Sequence, residues 1–131
     1  LGRGALPGDV RKQIDRLAAR LDEFIVEPEA PSLVHGDMWT TNVLAQNGRI
    51  TGFIDPAIYY GHAEIELAYS TLFGTFGEAF FRRYTEIRPL ADGFFEVRRD
   101  LYNLYPLLVH VRLFGGGYLS SVKRILSKLG V

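Results

Sequence analysis

The sequence predicts a mostly helical α+β domain carrying one small β-hairpin, and three observations support that class. From Glu64 onward, apolar residues recur at helical spacing. Asn47-Gly48 sits between two short β-prone runs, a hairpin signal. Of the 131 residues, 47% are apolar and 13% aromatic, enough to build the core of one domain.

The elements follow in order. Pro7-Gly8-Asp9 reads as a helix start with Asp9 at or near the N-cap. Val10, Ile14, Leu17, Leu21 and Phe24 then recur at spacings of four, three, four and three, with charged residues between them, an amphipathic helix. The prolines of EPEAPS (27–32) end it and deliver the chain to Leu33-Val34, the end of a short buried strand. Val43-Leu44 and Arg49 to Ile54 flank Asn47-Gly48, the strongest short hairpin signal. Ile50, Gly52 and Ile54 share one face of the second strand, and Thr51, Phe53 and Asp55 the other. That strand therefore ends on an aspartate, and Pro56 stops the ladder.

EIELAYSTLF and EAFFRRYTEI read as two helices parted by Gly74 and Gly77. After Asp92-Gly93, a long periodic segment runs through Leu101, Leu104, Leu108 and Val111, and Pro106 should kink or split it. Gly115-Gly116-Gly117 lies between helices rather than between a strand and a helix, so it reads as a flexible turn, not a phosphate cradle. Tyr118 to Leu129 forms the last helix. The Arg pairs at 82–83 and 98–99 fall within helical patterns and read as solvated faces.

Fifteen basic residues balance fifteen acidic ones, which removes the electrostatic case for a nucleic-acid or anionic-membrane partner. The absence of cysteine excludes disulfide and thiol chemistry and fits a cytoplasmic protein. No run reaches the ~18 to 20 consecutive apolar residues that a membrane span requires, and no signal-peptide pattern opens the sequence. The first residue is Leu1 rather than methionine, so a chain processed or excised from something longer is expected.

The polar cluster HGDMWTTN (35–42) stands at a strand end. Asp37 and Asn42 lie five apart, and Asp55 follows thirteen residues later. Two carboxylates and an amide oxygen make a set of hard oxygen ligands suited to Mg²⁺, which completes its octahedron with waters and substrate phosphates. Phosphoryl transfer requires those parts, together with a carboxylate to accept the proton of the attacking hydroxyl. His35, Asp37 and Asn42 have the spacing of the H-x-D-x-x-x-x-N catalytic loop of protein kinases, and Asp55 stands where those enzymes carry a metal-binding aspartate.

The longer wording LVHGDMWTTNVL, IDPAIYYGHAEIELAYSTLFG and HVRLFGGGY resembles the fructosamine kinase (ketosamine-3-kinase) family, within the aminoglycoside-phosphotransferase-like kinases. The resemblance runs from about Leu33 to Tyr118, and D-P-A-x-Y-Y-G-H is its most specific part. It implies that residues 1–131 are the C-terminal lobe of a protein-kinase-like fold. It also implies an ATP- and Mg²⁺-dependent kinase acting on the 3-hydroxyl of ketosamines (fructosamines), as small molecules or on glycated proteins. By the same resemblance Asp37 is the catalytic base, Asn42 and Asp55 hold Mg²⁺, Glu66 braces the loop from a helix, and His35 packs and bonds the loop backbone. Trp39 is a candidate for stacking on the sugar. His62 and Glu64 are candidates for flanking the acceptor cleft, with helix capping as their alternative. Tyr59, Tyr60 and Tyr69 read as packing. Thr40-Thr41 departs from the family, where Ser-Gly or Gly-Gly is more usual before the asparagine.

Kinases hold the nucleotide with a glycine-rich loop and a strand lysine, and this sequence shows neither. Lys12 lies on the amphipathic helix. An N-terminal nucleotide-binding lobe is therefore expected to be absent from these residues, and the chain alone is expected to be inactive. Two other readings stand beside this one: a kinase of aminoglycosides or choline-like alcohols, and a non-enzymatic binding module.

Overall fold

The computed structural model describes residues 6–131; Leu1, on which the expectation of processing rests, lies outside them. The class is the α+β expected, with five α-helices and two short antiparallel ladders among the described residues. The chain divides into two compact units, one of the residues up to Val26 with Asp100–Val131, the other of Glu27–Arg99.

The first unit contains α1 (Gly8–Ala18), α5 (Leu119–Lys128) and α4 (Arg99–Phe114) from its second residue. Pro7, not Asp9, stands at the N-cap of α1, and Asp9 lies in the first turn, where its charge favours the helix N-terminus. The helix stops at Ala18 and Leu21–Glu23 continues only as a 3₁₀ turn, so the apolar period outruns the helix. Buried positions are Val10 and Leu17 on α1, Leu101, Leu104, Leu107 and Val111 on α4, and Val122, Ile125 and Leu126 on α5. Pro106 does not split α4. An interior proline costs a helix about 3 kcal/mol, but here the buried stripe continues on both sides of it, with Leu107 in place of the expected Leu108. Burying those four aliphatic side chains offsets the cost. The glycine triplet is a turn between α4 and α5, with Gly116–Tyr118 in a 3₁₀ conformation.

In the second unit β1 (Ser32–Val34) pairs with β4 (Tyr59–Gly61), and β2 (Val43–Gln46) with β3 (Arg49–Phe53). The β2–β3 pair is the expected hairpin. Asn47 and Gly48 both take positive φ, 52° and 72°, the primed turn that Asn-Gly favours. The strict alternation of faces fails, because a bulge leaves Thr51 without a partner across the ladder. The β1–β4 ladder is not foreseen by the sequence; three residues give too short a period-two signal. Leu33, Leu44, Ile50, Phe53, Ile58 and Tyr60, on or beside these ladders, are all exposed.

Next come α2 (Ala63–Leu72) and α3 (Glu78–Ile87), then a π-turn over Phe94–Arg98 that leads into α4. Arg82 and Arg83 are exposed as expected, but Arg98 is 4% exposed. Its guanidinium meets both oxygens of Glu64 on α2, Nε to Oε2 at 2.8 Å and Nη2 to Oε1 at 2.9 Å. It also donates to the carbonyls of Ala91 and Asp92, at 2.9 and 2.8 Å. A planar fork with five donors can satisfy a buried carboxylate and two loop carbonyls at once, which a solvated arginine would not need to do. Arg98→Met leaves the Glu64 charge buried without its partner and should lower the unfolding free energy by about 3–5 kcal/mol. Adding Glu64→Leu should recover a large part of that loss, and chemical denaturation of the two variants measures the difference.

Candidate active site: the loop from His35 to Asn42

This loop joins β1 to β2, and its backbone is gripped from α2. The Glu66 carboxylate accepts from the N–H of His35 at 3.1 Å and of Gly36 at 2.9 Å. Gly36 has φ +84°, and a Cβ there would collide with the Ala57 carbonyl, so glycine is required twice over. Ala57 returns the contact by donating its N–H to His35 O at 2.8 Å. The His35 ring spans the loop: Nδ1 accepts from Asp37 N at 3.3 Å, and Nε2 lies 2.8 Å from Ile54 O. A carbonyl only accepts, so Nε2 carries the ring proton and Nδ1 the lone pair.

Asp37 is held on both carboxylate oxygens. Asn42, itself buried, donates Nδ2 to Asp37 Oδ2 at 3.0 Å and to Asp37 O at 2.9 Å. Tyr69 donates its hydroxyl to Oδ1 at 3.1 Å. Both Asn42 contacts are acceptors, so chemistry fixes the amide with its nitrogen toward Asp37 and its oxygen left over. Burial pushes the Tyr69 phenol up to about 12, and the neighbouring Asp37 charge and hydrogen bond act in the same direction.

Asp55 lies just past β3, exposed, with φ 51°, a left-handed conformation that Asp tolerates better than most residues. Its neighbour Ile54 is tied to the loop through both backbone groups, accepting from His35 and donating its N–H to Asn42 O at 3.0 Å. Among the described residues no group of three or more His, Cys, Asp or Glu could hold a metal ion. Asn42 and Asp55 offer an amide oxygen and a carboxylate, the class of hard oxygen donor that Mg²⁺ takes alongside waters and phosphate oxygens.

The expected acceptor-side residues separate. Trp39, within the loop, is half-buried, its ring 5.7 Å from that of Phe73. His62 is the N-cap of α2, its Nδ1 accepting from Glu64 N at 3.1 Å. Glu64 is buried with both oxygens on Arg98, so the structure gives it to the interior rather than to a cleft. Tyr69, expected only to pack, touches the Asp37 carboxylate. The signal was in its spacing, three residues after Glu66 on the same helical face.

The sequence pattern of the fructosamine kinase family matches residues 5–130. The chain belongs to the fructosamine kinase family. It is 46% identical over 125 residues to a rice (Oryza sativa subsp. japonica) protein-ribulosamine 3-kinase, covering 95% of this chain and 35% of that one. It is 43% identical over 98 residues to a Synechocystis sp. protein named as a ketoamine kinase, covering 75% of this chain and 33% of the relative. A crystal structure from Thermobifida fusca named as a fructosamine-3-kinase superposes with TM-score 0.84 at 39% identity, covering 98% of this chain and 45% of that one. The chain thus spans about a third of the length of these curated fructosamine kinase relatives.

The Tyr69–Asp37 contact is open to titration. The folded state holds the phenolic proton up to about 12 against an ordinary 10.0, so stability from this group is complete below pH 10 and falls as pH rises toward 12. In ¹³C-tyrosine NMR the Tyr69 resonance should titrate late, and Asp37→Asn should move its titration downward.

Proposed function

We propose that this chain supplies the catalytic and acceptor-binding lobe of an ATP-dependent kinase that phosphorylates the 3-hydroxyl of ketosamines, free or on glycated proteins. The observation that carries the reading is the Asp37 carboxylate, fixed by one donor on each oxygen within a loop clamped by Glu66. Family membership and the kinase names of the relatives support the reaction class.

Asp37 takes the proton of the sugar hydroxyl as that oxygen bonds to the γ-phosphorus of ATP, while the bond from that phosphorus to the bridging oxygen breaks and ADP leaves. Asn42 and Asp55 would hold Mg²⁺ through oxygen, and the ion would supply charge neutralisation for the phosphates of bound ATP. His35 and Glu66 keep the loop in shape, and Trp39 offers an aromatic face to the sugar ring. Phosphoryl transfer is almost entirely positioning and electrostatic stabilisation, so turnover requires a second lobe that grips the nucleotide, supplied by the remaining length of a kinase of the relatives' size. Among the described residues no helix is long and apolar enough to cross a membrane, and the cysteine-free composition supports a cytoplasmic site of action.

In the intact kinase, Asp37→Asn keeps the shape and removes the charge that accepts the proton, so kcat should fall at least ~10²-fold with nucleotide affinity nearly unchanged. Asp55→Asn should instead weaken Mg²⁺-dependent nucleotide binding as well as turnover. Kinetics and calorimetry across a Mg²⁺ titration distinguish the two. Near-normal turnover of the first variant, or the same metal dependence in both, would overturn the assignment.

A further inference from the structure

We propose that Tyr69 is a positioning residue for phosphoryl transfer: its hydroxyl sets the plane of the Asp37 carboxylate, and its ring couples that carboxylate through Phe73 to Trp39. This rests on the reading of Asp37 as the base.

The geometry is a helix in register with a loop. Glu66, Tyr69 and Phe73 are three and four residues apart, so they fall along one face of α2 and its C-cap. They meet the loop in the loop's own order. Glu66 holds His35 and Gly36, Tyr69 holds Asp37, and Phe73 lies 5.7 Å from Trp39 between ring centroids. Thr75 continues the series, its hydroxyl 3.2 Å from that of Thr40. Within the face, the Tyr69 ring meets Phe73 edge-on at 6.2 Å.

A carboxylate offers about four acceptor sites, two on each oxygen. Asn42 takes one on Oδ2 and Tyr69 one on Oδ1, leaving a site on each for a substrate hydroxyl. The torsion that turns a carboxylate plane is broad and soft. Asn42 alone fixes one oxygen, and a second donor on the other oxygen is what stops the rotation. Tyr69 is suited to that task and not to proton abstraction, because burial keeps its phenol protonated up to about 12. Its hydroxyl is therefore a donor throughout the working range.

Tyr69→Phe in the intact kinase keeps the ring and its edge-on contact with Phe73 and removes only the hydroxyl. With a fructosamine as acceptor, kcat should fall about 10-fold, the scale of one hydrogen bond to a charged group. KM for ATP and KM for the fructosamine should stay near wild type, while the melting temperature falls only by the small amount one lost hydrogen bond accounts for, a split that loss of mere packing does not produce. Wild-type kcat in Tyr69→Phe beside an inactive Asp37→Asn overturns the proposal and leaves the base assignment standing. A lower kcat accompanied by a raised KM for both ATP and the fructosamine overturns it also, in favour of packing alone. An active Asp37→Asn removes the base assignment and the proposal together. Should Tyr69→Phe fail to fold, the tyrosine titration decides: a late phenol that does not respond to Asp37→Asn overturns the contact.

Discussion

Glu66 accepts hydrogen bonds from two consecutive backbone N–H groups, and the geometry of the site follows from that grip. Consecutive N–H groups turn toward one acceptor only where the backbone makes a tight concave bend, and the left-handed Gly36 provides it. Without the carboxylate, two donors at a half-buried position would lose their partner, which folded chains rarely allow. With it, the His35 ring is set across the loop to reach Ile54, and Ile54 in turn reaches Asn42. Asp55 is carried next to the loop by that chain of backbone contacts rather than by any contact of its own side chain.

Two carboxylates on α2 stand two residues apart and do different work. Successive helix positions turn by roughly 100°, so Glu64 and Glu66 face nearly opposite ways. Glu64 goes inward to Arg98, which wraps the π-turn around itself through the Ala91 and Asp92 carbonyls. Glu66 goes toward the loop. One short helix thereby links the π-turn on one side to the functional loop on the other, and the His62 cap defines where that helix begins.

Local signals carried much of this. The Asn-Gly turn, the glycines between helices and the H-x-D-x-x-x-x-N spacing are each written in a few adjacent residues, and each has its counterpart in the structure. What the sequence hid depends on distant partners. Arg98 looks like any helical arginine until Glu64, 34 positions away, is placed against it. The β1–β4 ladder joins residues 25 or more apart through three-residue strands. Pro106 signals a break, but the burial that overrides it comes from tertiary packing. At the site, a glutamate two residues after a histidine reads the same whether it faces a cleft or an interior, so only Arg98 shows where Glu64 lies. Tyr69 was missed because an aromatic on an apolar helix is usually core, and only the loop's proximity gives its hydroxyl a partner.

The exposed apolar side chains on or beside the two ladders, among them Leu33, Leu44, Ile50, Phe53, Ile58 and Tyr60, bear on how the purified chain behaves in a test tube. Its formal net charge is zero at neutral pH, with a pI near 7.0, so no long-range repulsion keeps one molecule from another. Attraction without repulsion makes a poor colloid. Solubility should be lowest near neutrality and rise toward either side of it, so buffers chosen to mimic the cell are the least favourable for storing this chain.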